Sequence, residues 1–141
     1  MQCAKCRSVM VSVQGAYGQP VDRCTKCHGL FISMPAMESI CREWFMWPSG
    51  RSEHRIDIGD GRSGRAYDAV DDIDCPVCGT RMAHVSVEGQ SHISLEQCTD
   101  CEGIFFDAGE LTDTRYRTLV DWVKNRLTPR RPGDRPATIP R

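Results

Sequence analysis

The chain has 141 residues, enough for one ordinary domain or two very small ones. Hydrophobic residues make up 40% of it, charged residues 26%, and the net charge is −1, which argues against indiscriminate coating of DNA. No stretch approaches the roughly 18 apolar residues of a membrane span. Nine cysteines would indicate disulfides in a secreted protein, but the first residues lead into no apolar export signal. We therefore expect a cytoplasmic protein with reduced cysteines.

Eight of the cysteines form Cys-x-x-Cys pairs, and the pairs form two repeats. Seventeen residues separate the two pairs of the first repeat, and nineteen separate those of the second. Two such pairs can place four thiolates around one tetrahedral metal ion, for which zinc is the usual occupant. The sequence predicts one Zn²⁺ in each of two sites, formed by Cys3, Cys6, Cys24 and Cys27 and by Cys75, Cys78, Cys98 and Cys101.

The first module, residues 1–47, contains short apolar segments separated by breaker residues. Met10–Val13 and Val21–Arg23 are predicted as strands joined by a turn, and Gly29–Ser33 as a third strand. Ser33 is placed to cap a helix, with Pro35 tolerated in its first turn. The apolar face of that helix is predicted from residues at helical spacing, which are Met37, Ile40, Cys41, Trp44 and Phe45.

Residues 48–74 follow the helix and begin with Pro48, Ser49 and Gly50, which end it. The stretch holds four glycines, four arginines and few apolar anchors, so we predict a flexible linker. Its segment Gly59–Gly64 matches G-x-G-x-x-G. No βαβ unit is predicted around that segment, so we expect no phosphate site there.

The second module, residues 75–127, repeats the arrangement of the first. Strands are predicted over Met82–Val87, Ser91–Gln97 and Gly103–Asp107. Asp107 and Glu110 have the spacing of a capping box, and apolar residues at helical spacing continue the helix to Leu127. Residues 128–141 are predicted to be a disordered Pro/Arg-rich tail. The expected fold class is small metal-stabilised α+β, with two zinc β-ribbons of short antiparallel strands, each followed by an α-helix.

Other uses of the cysteines match the sequence less well. Cys24–His28 fits the Cys-x-x-Cys-His pattern of haem attachment, but that process implies export. A thioredoxin-like dithiol would need a βαβ unit. Iron in a rubredoxin-like cage remains an alternative, because it uses the same four thiolates as zinc. Four cysteines close the coordination sphere of zinc, so hydrolysis is not expected and no enzyme is predicted.

A few residues lie outside these patterns. Cys41 has no partner cysteine, and on an apolar helix face we interpret it as a small buried hydrophobe. His54, His84 and His92 are interpreted as isolated surface residues. The run Trp44–Trp47 is too broad for one helix face, so part of it is expected to pack against the other module, a dimer mate or a partner.

Charge is distributed unevenly between the modules. The charged side chains of residues 1–34 are basic apart from Asp22. Residues 75–111 contain one basic residue, Arg81, and six acidic residues. The acidic second module and the aromatic run favour a non-catalytic protein-interaction adaptor, with an unidentified protein partner and no small-molecule substrate. The alternative is nucleic-acid binding, for which the candidate cations are Lys5, Arg7, Arg23, Lys26, Arg130, Arg131, Arg135 and Arg141.

The segment from Cys75 to Leu111 carries Cys-Pro-x-Cys-Gly followed by Cys-x-x-Cys-x-Gly-Ile-Phe-x-Asp-x-Gly-Glu-Leu. This pattern resembles the transcription-factor-IIB-type zinc ribbon family of small bacterial proteins. Residues 3–37 look like a divergent second copy, in which Met10, Gly29 and Phe31 match and Ser33, Pro35 and Ala36 replace the family's Asp, Gly and Glu. The resemblance implies zinc binding and a β-ribbon with an adjoining helix. It implies no task, because zinc ribbons serve many.

Overall fold

The computed structural model describes residues 1–59, 62, 65–67, 69–115, 133–137 and 139. The first module contains β1 (Met10–Gln14), a 3-10 turn (Ala16–Gly18), β2 (Pro20–Cys24), β3 (Leu30–Ile32) and α1 (Met34–Met46). A short helix α2 (Glu53–Ile56) precedes the second module, which contains β4 (Met82–Val87), β5 (Gln90–Cys98), β6 (Ile104–Phe106) and α3 (Glu110–Arg115). A two-residue strand, β7 (Arg135–Pro136), lies further along the chain.

All seven strands form one sheet, in the order β1-β2-β3-β6-β5-β4-β7. The two modules meet where β3 pairs antiparallel with β6, and the central pair is Phe31 opposite Phe105. Phe31 and Phe105 hold equivalent positions in the two repeats. The same equivalence exchanges the two flanking pairs, Leu30–Phe106 and Ile32–Ile104. The pairing is therefore self-complementary, as in a two-fold dimer interface, although both halves belong to one chain.

Two glycines allow the aromatic rings to cross the junction between the modules. A Cβ on Gly103 would lie 2.3 Å from Cζ of Phe31, and one on Gly29 would lie 2.7 Å from Cζ of Phe105. Neither glycine has a positive φ itself. The positive φ belongs to the residue before each of them, His28 at 60° and Glu102 at 59°, so the glycines are needed for close approach.

The sheet has an apolar core on each face, because alternate residues of a strand point to opposite sides. Leu30 and Ile32 pack with α1 residues Met37 and Ile40 and with residues of the second module such as Leu95. Phe31 and Phe105 pack on the other face with the buried cysteines of both modules and with Ile73. Both cores take residues from both modules, so neither module encloses a core of its own.

The segment 48–74, predicted as a flexible linker, makes specific buried contacts where the structure describes it. Ile56 and Ile73 are buried in the two cores. Buried Glu53 forms an ion pair with Arg115. Buried Asp57 accepts hydrogen bonds from the N–H groups of Gly109 and Thr112, at 2.8 and 3.0 Å. The sequence reading missed these anchors because they are few and are spread along a polar stretch.

The helix starts use different caps in the two modules. Ser33 Oγ accepts from the N–H of Ala36 at 3.4 Å, as predicted, and Pro35 lies in the first turn of α1. At α3, Glu110 Oε2 accepts from the N–H of Asp107 at 2.8 Å, which is the glutamate half of the predicted capping box. The N–H groups of Gly109 and Thr112 at that helix start are bound by Asp57. The predicted continuation of α3 to Leu127 lies outside the described residues.

Part of the predicted tail carries a strand. Arg135–Pro136 pairs in parallel with β4, and the N–H of Ala137 donates to the carbonyl of Ser86 at 2.9 Å. Most other residues of the predicted tail 128–141 lie outside the described part of the chain. Within the described ranges, no helix has the length and apolar character needed to cross a membrane.

Candidate metal centres

Each four-cysteine cluster is assembled from two tight backbone turns. In the first turn of each module, the N–H of Arg7 donates to the carbonyl of Cys3 at 3.0 Å, and that of Gly79 to the carbonyl of Cys75 at 2.9 Å. Arg7 and Gly79 take positive φ values of 61° and 77°. In the second turn, the N–H of Cys27 approaches Cys24 Sγ at 3.5 Å, and Cys101 makes the same contact with Cys98. Such N–H groups spread the charge of a metal-bound thiolate.

The sulfur positions fit a tetrahedral ion. In the first cluster, Sγ of Cys3 lies 3.6 Å from that of Cys27, and Cys6 lies 3.3 Å from Cys24. The matching distances in the second cluster are 3.6 Å for Cys75 to Cys101 and 3.4 Å for Cys78 to Cys98. All four sulfurs of each cluster lie within 4.8 Å of one another. Tetrahedral Zn–S bonds of ~2.3 Å require sulfurs about 3.8 Å apart, close to these distances.

Thiol pKa values differ within each cluster. The hydrogen bond from Cys27 lowers the pKa of Cys3 to about 5, and that same bond raises the pKa of Cys27. In the second cluster, hydrogen bonds from Thr80 lower the pKa of Cys78 to about 6. Partial burial of the sulfur, together with its hydrogen bonds to Cys98 and Cys75, raises the pKa of Cys101 to about 12. Binding of a metal requires the thiols to lose their protons, so zinc affinity should rise with pH.

Comparison with known proteins places the second cluster within a known pattern. Residues 74–114 match the transcription factor zinc-finger family, a TFIIB-type zinc ribbon. Searches among curated proteins and among solved structures found no match. The matched segment contains the whole second cysteine cluster, and the first cluster near the N-terminus has the same donor set and sulfur spacing. The chain therefore carries a zinc-binding ribbon and two four-cysteine sites, each suited to one Zn²⁺.

The two clusters differ in exposure to solvent. Cys3, Cys24 and Cys27 are buried and Cys6 is half-buried, whereas Cys78 and Cys101 of the second cluster are exposed. Four thiolates complete the coordination of zinc in either site, so the expected role of the metal is structural. Cys41 belongs to neither cluster. It is partly buried against the core, and burial raises its pKa to about 11, in line with its interpretation as a small hydrophobe.

A buried polar cluster lies beside the second site, and sequence reasoning missed it. Lys5, which we had counted among the candidate surface cations, is buried and reaches across the junction. Its Nζ lies 2.6 Å from Asp107 Oδ2 and 3.4 Å from Glu96 Oε1. Burial lowers the pKa of Lys5, but the carboxylates of Glu96 and Asp107 outweigh that effect and raise it.

The acidic members of this cluster have raised pKa values. Burial raises the pKa of Glu96 to about 8, and Lys5 only partly opposes that effect. Burial and the nearby Asp107 carboxylate raise the pKa of Glu110 well above its ordinary value. Alternation of polar and apolar residues along β5 puts Glu96 and His92 on one face of the strand. It could not show that the other module covers that face.

The remaining residues that we singled out from the sequence, three histidines and Arg23, lie at separate places in the structure. His54 is exposed beside Glu53, His84 is half-buried near Glu96, and His92 lines a cavity next to that residue. The interpretation of His92 as an isolated surface residue is therefore wrong. Arg23, a predicted nucleic-acid contact, donates to the carbonyls of Arg55 and Ile56 at 3.3 and 3.1 Å.

Proposed function

We propose that this chain is a cytoplasmic, non-catalytic adaptor in which two zinc-stabilised modules hold a binding surface for a protein partner. The carrying observation is an exposed apolar surface at the end of α1, here called the aromatic patch, formed by Tyr17, Phe45, Met46 and Trp47. Their exposed fractions are 56%, 81%, 56% and 54%. The Tyr17 and Trp47 rings lie 6.5 Å apart between centroids. Exposed clusters of large apolar side chains mark protein-binding sites.

The backbone beneath the patch is fixed from the second module. Arg115 donates from Nη2 to the carbonyls of Trp47 and Pro48, both at 3.0 Å, and its guanidinium lies 5.6 Å from the Trp44 ring centroid. The four residues of the aromatic run therefore differ in exposure. Trp44 is partly buried against the apolar core, and the next three residues are exposed. A partner would meet a patch that is already ordered, which lowers the entropic cost of binding.

Charge beside the patch favours a partner that carries acidic groups. Trp47 lines a shallow depression together with Arg51, Arg55 and one acidic residue, Glu43. We therefore expect the binding segment to place an apolar side chain on the aromatic patch and acidic side chains near the two arginines. Complementary charges of this kind set specificity and the rate of association.

We also propose that the first module is a divergent second copy of the family that residues 74–114 match. Three features support this: the cysteine cluster, the order of strands and helix, and the self-complementary pairing of β3 with β6. The duplication would explain why one chain forms a junction like that of a symmetric dimer.

The adaptor proposal is tested by affinity capture with the zinc-loaded full chain, followed by identification of bound proteins. The double variant Phe45→Ser/Trp47→Ser should lose a partner that the wild type retains. The matched control is Val77→Ser, because Val77 is an apolar residue that is 63% exposed and does not belong to the aromatic patch. Direct binding of the purified partner then gives the affinity. Equal capture by the wild type and the double variant would contradict the proposal.

Nucleic-acid binding remains the second candidate, carried by exposed cations next to exposed rings. Arg51 and Arg55 lie beside Trp47, an arrangement suited to phosphates and stacked bases. Lys5 and Arg23 support it less, since Lys5 is buried in ion pairs and Arg23 binds backbone carbonyls. Titration with random single-stranded and duplex DNA at low salt tests this candidate. Absence of binding at low ionic strength would remove it.

A further inference from the structure

A polar cavity lies at the junction of the modules and shares no lining residue with the aromatic patch or with the cysteine clusters. It measures 110 Å³ and is lined by Lys5, Asp71, His92, Ser94, Glu96, Asp107 and Glu110. Lys5, Glu96 and Asp107 are buried and form its floor, whereas Asp71, His92, Ser94 and Glu110 are half-buried and form its rim. A single water needs only about 10–15 Å³ measured in this way, so the cavity has room for a small ligand.

Two oxygen atoms that line the cavity accept no hydrogen bond from the described residues. Glu96 is 4% exposed, and its Oε1 faces Lys5 at 3.4 Å. Its other oxygen, Oε2, is buried and has no hydrogen-bond partner among the described residues, and the same is true of Ser94 Oγ. A buried polar atom left without a partner costs roughly 1–3 kcal/mol. Such atoms, lining a cavity with free volume, are available to a bound ligand.

The charges that line the cavity favour a cation. Four carboxyl groups, those of Asp71, Glu96, Asp107 and Glu110, face the single ammonium group of Lys5. Lys5 already pairs with two of these groups, Asp107 at 2.6 Å and Glu96 at 3.4 Å. An additional cation with several N–H donors could bind Glu96 Oε2 and Ser94 Oγ together, and its charge would favour the ionised form of the buried Glu96 carboxyl group.

The spacing of the carboxylates decides between a metal and an organic cation. A metal ion needs several ligand atoms converging within a few ångströms. Among the described residues, the two cysteine clusters are the groups of three or more candidate ligands that converge in this way, and the carboxylates of the cavity are not such a group. A guanidinium is planar and presents five donors in a wide fork, so it can bridge acceptors that lie further apart.

We propose that this cavity binds a guanidinium group, with Glu96 and Ser94 as the acceptors. The group could belong to a small free cation or to an arginine side chain of a polypeptide, and the chemistry of recognition is the same. The site is independent of the aromatic patch, so it neither requires nor establishes the adaptor function.

The test is an NMR titration of the zinc-loaded full chain, with backbone amide shifts as the readout. One arm uses methylguanidinium, and the other a short capped peptide containing one arginine, with its citrulline analogue as control. Sodium chloride at equal ionic strength corrects for screening. Saturable shifts at Lys5, Ser94 and Glu96 in either arm support the site. A peptide that binds at least about tenfold more tightly than methylguanidinium indicates a polypeptide source, and equal affinities indicate a free cation.

Substitutions of the two proposed acceptors test whether binding depends on them. Glu96→Gln should weaken binding by about tenfold or more, since it removes a charge-assisted hydrogen bond. Ser94→Ala leaves the Lys5 ion pairs intact and should weaken binding by roughly three- to tenfold. Asp22→Asn changes the position equivalent to Glu96 in the first module and should have no effect. Linear shifts without saturation in both arms, or full affinity in both Glu96→Gln and Ser94→Ala, would overturn the proposal.

If the site fails while the aromatic patch variants still lose their partner, the adaptor function stands without it. Conversely, guanidinium binding that survives Phe45→Ser/Trp47→Ser would show a site separate from that surface. The two proposals thus fail through different variants and different measurements.

Discussion

The two modules have the same zinc-site geometry and meet across equivalent strands, but their surroundings differ at four equivalent positions. Lys5, Glu96, Asp107 and Glu110 form a buried polar cluster on one side of the junction. The equivalent positions on the other side hold Val77, Asp22, Ser33 and Ala36. Val77 is 63% exposed, and Ala36 is fully buried in the apolar core. The positions that close the sheet are alike in both modules, whereas those around each helix start have diverged.

The interactions that stabilise the protein are therefore of two kinds, those shared by both modules and those local to one side of the junction. Metal binding and the β3–β6 pairing are shared by both modules, so damage to either should affect the whole protein. The ion pairs and caps are local to one side, so their loss should have smaller and unequal effects. Variants at equivalent positions of the two modules measure this directly.

The largest effect is expected from loss of one zinc ligand. Cys98→Ser and Cys24→Ser should each unfold both modules, because a structural zinc contributes an apparent ~10–16 kcal/mol against a typical total stability of ~5–15 kcal/mol. Circular dichroism and amide NMR spectra give the readout. Cys41→Ser, outside both clusters, is the control and should keep the fold. If each ligand variant disturbed only its own module, the shared-sheet account would be wrong.

The buried ion pairs should give the largest difference between equivalent positions. Lys5→Met should cost about 3–5 kcal/mol at pH 8, because it leaves Glu96 and Asp107 without their cation. Val77→Met at the equivalent exposed position should change stability by less than about 0.5 kcal/mol.

The cost of Lys5→Met should also depend on pH. Burial raises the pKa of Glu96 to about 8 in the wild type, and loss of Lys5 removes the cation that opposes this rise. The deficit of the variant relative to the wild type should therefore grow from about pH 7 to about pH 9, where ionisation of Glu96 without its cation becomes costly. Denaturant unfolding of zinc-loaded protein at both pH values measures this. An equal loss of stability in Lys5→Met and Val77→Met would contradict a buried ion pair at Lys5.

The glycines at the junction should give an intermediate effect. Gly103→Ala would place a Cβ 2.3 Å from the Phe31 ring, and Gly29→Ala one 2.7 Å from the Phe105 ring. We expect overpacking costs of about 1–3 kcal/mol, larger at Gly103. Gly79→Asn is the control, since nothing lies within 4 Å of its Cβ position and asparagine tolerates positive φ. Thermal unfolding ranks the three, and a cost at Gly79 as large as at Gly103 would contradict this packing.

The helix caps should give the smallest effects. Ser33→Ala removes one hydrogen bond to the start of α1 and should cost about 0.5–1 kcal/mol. Asp57→Ala removes three hydrogen bonds from Gly109 and Thr112 and should cost about 1–2 kcal/mol. Chemical denaturation resolves this difference. A negligible cost for Asp57→Ala would mean that the 48–74 segment does not stabilise the second module.

Local signals predicted much of the fold. Cysteine spacing gave both quartets, period-two patterns located the strands to within about two residues, and Ser33 marked the start of α1. Each of these depends on residues close in sequence, where periodicity and capping chemistry are direct.

Contacts between distant segments could not be predicted in the same way. Nothing in Leu30–Ile32 shows that it pairs with Ile104–Phe106, because a short apolar strand has many possible neighbours. Lys5 appeared as a surface cation because its acceptors lie about a hundred residues further along the chain. Asp57 was assigned to a linker for the same reason, since a single carboxylate that caps a distant helix leaves no local pattern.

The central claim is that two four-cysteine sites hold one zinc ion each and together stabilise a single sheet. Native mass spectrometry of the purified protein measures this most directly, with the metal identified by elemental analysis. We expect two zinc ions per chain, and we expect a chelator to remove both ions and to unfold the protein. A single bound ion, or iron in place of zinc, would contradict it.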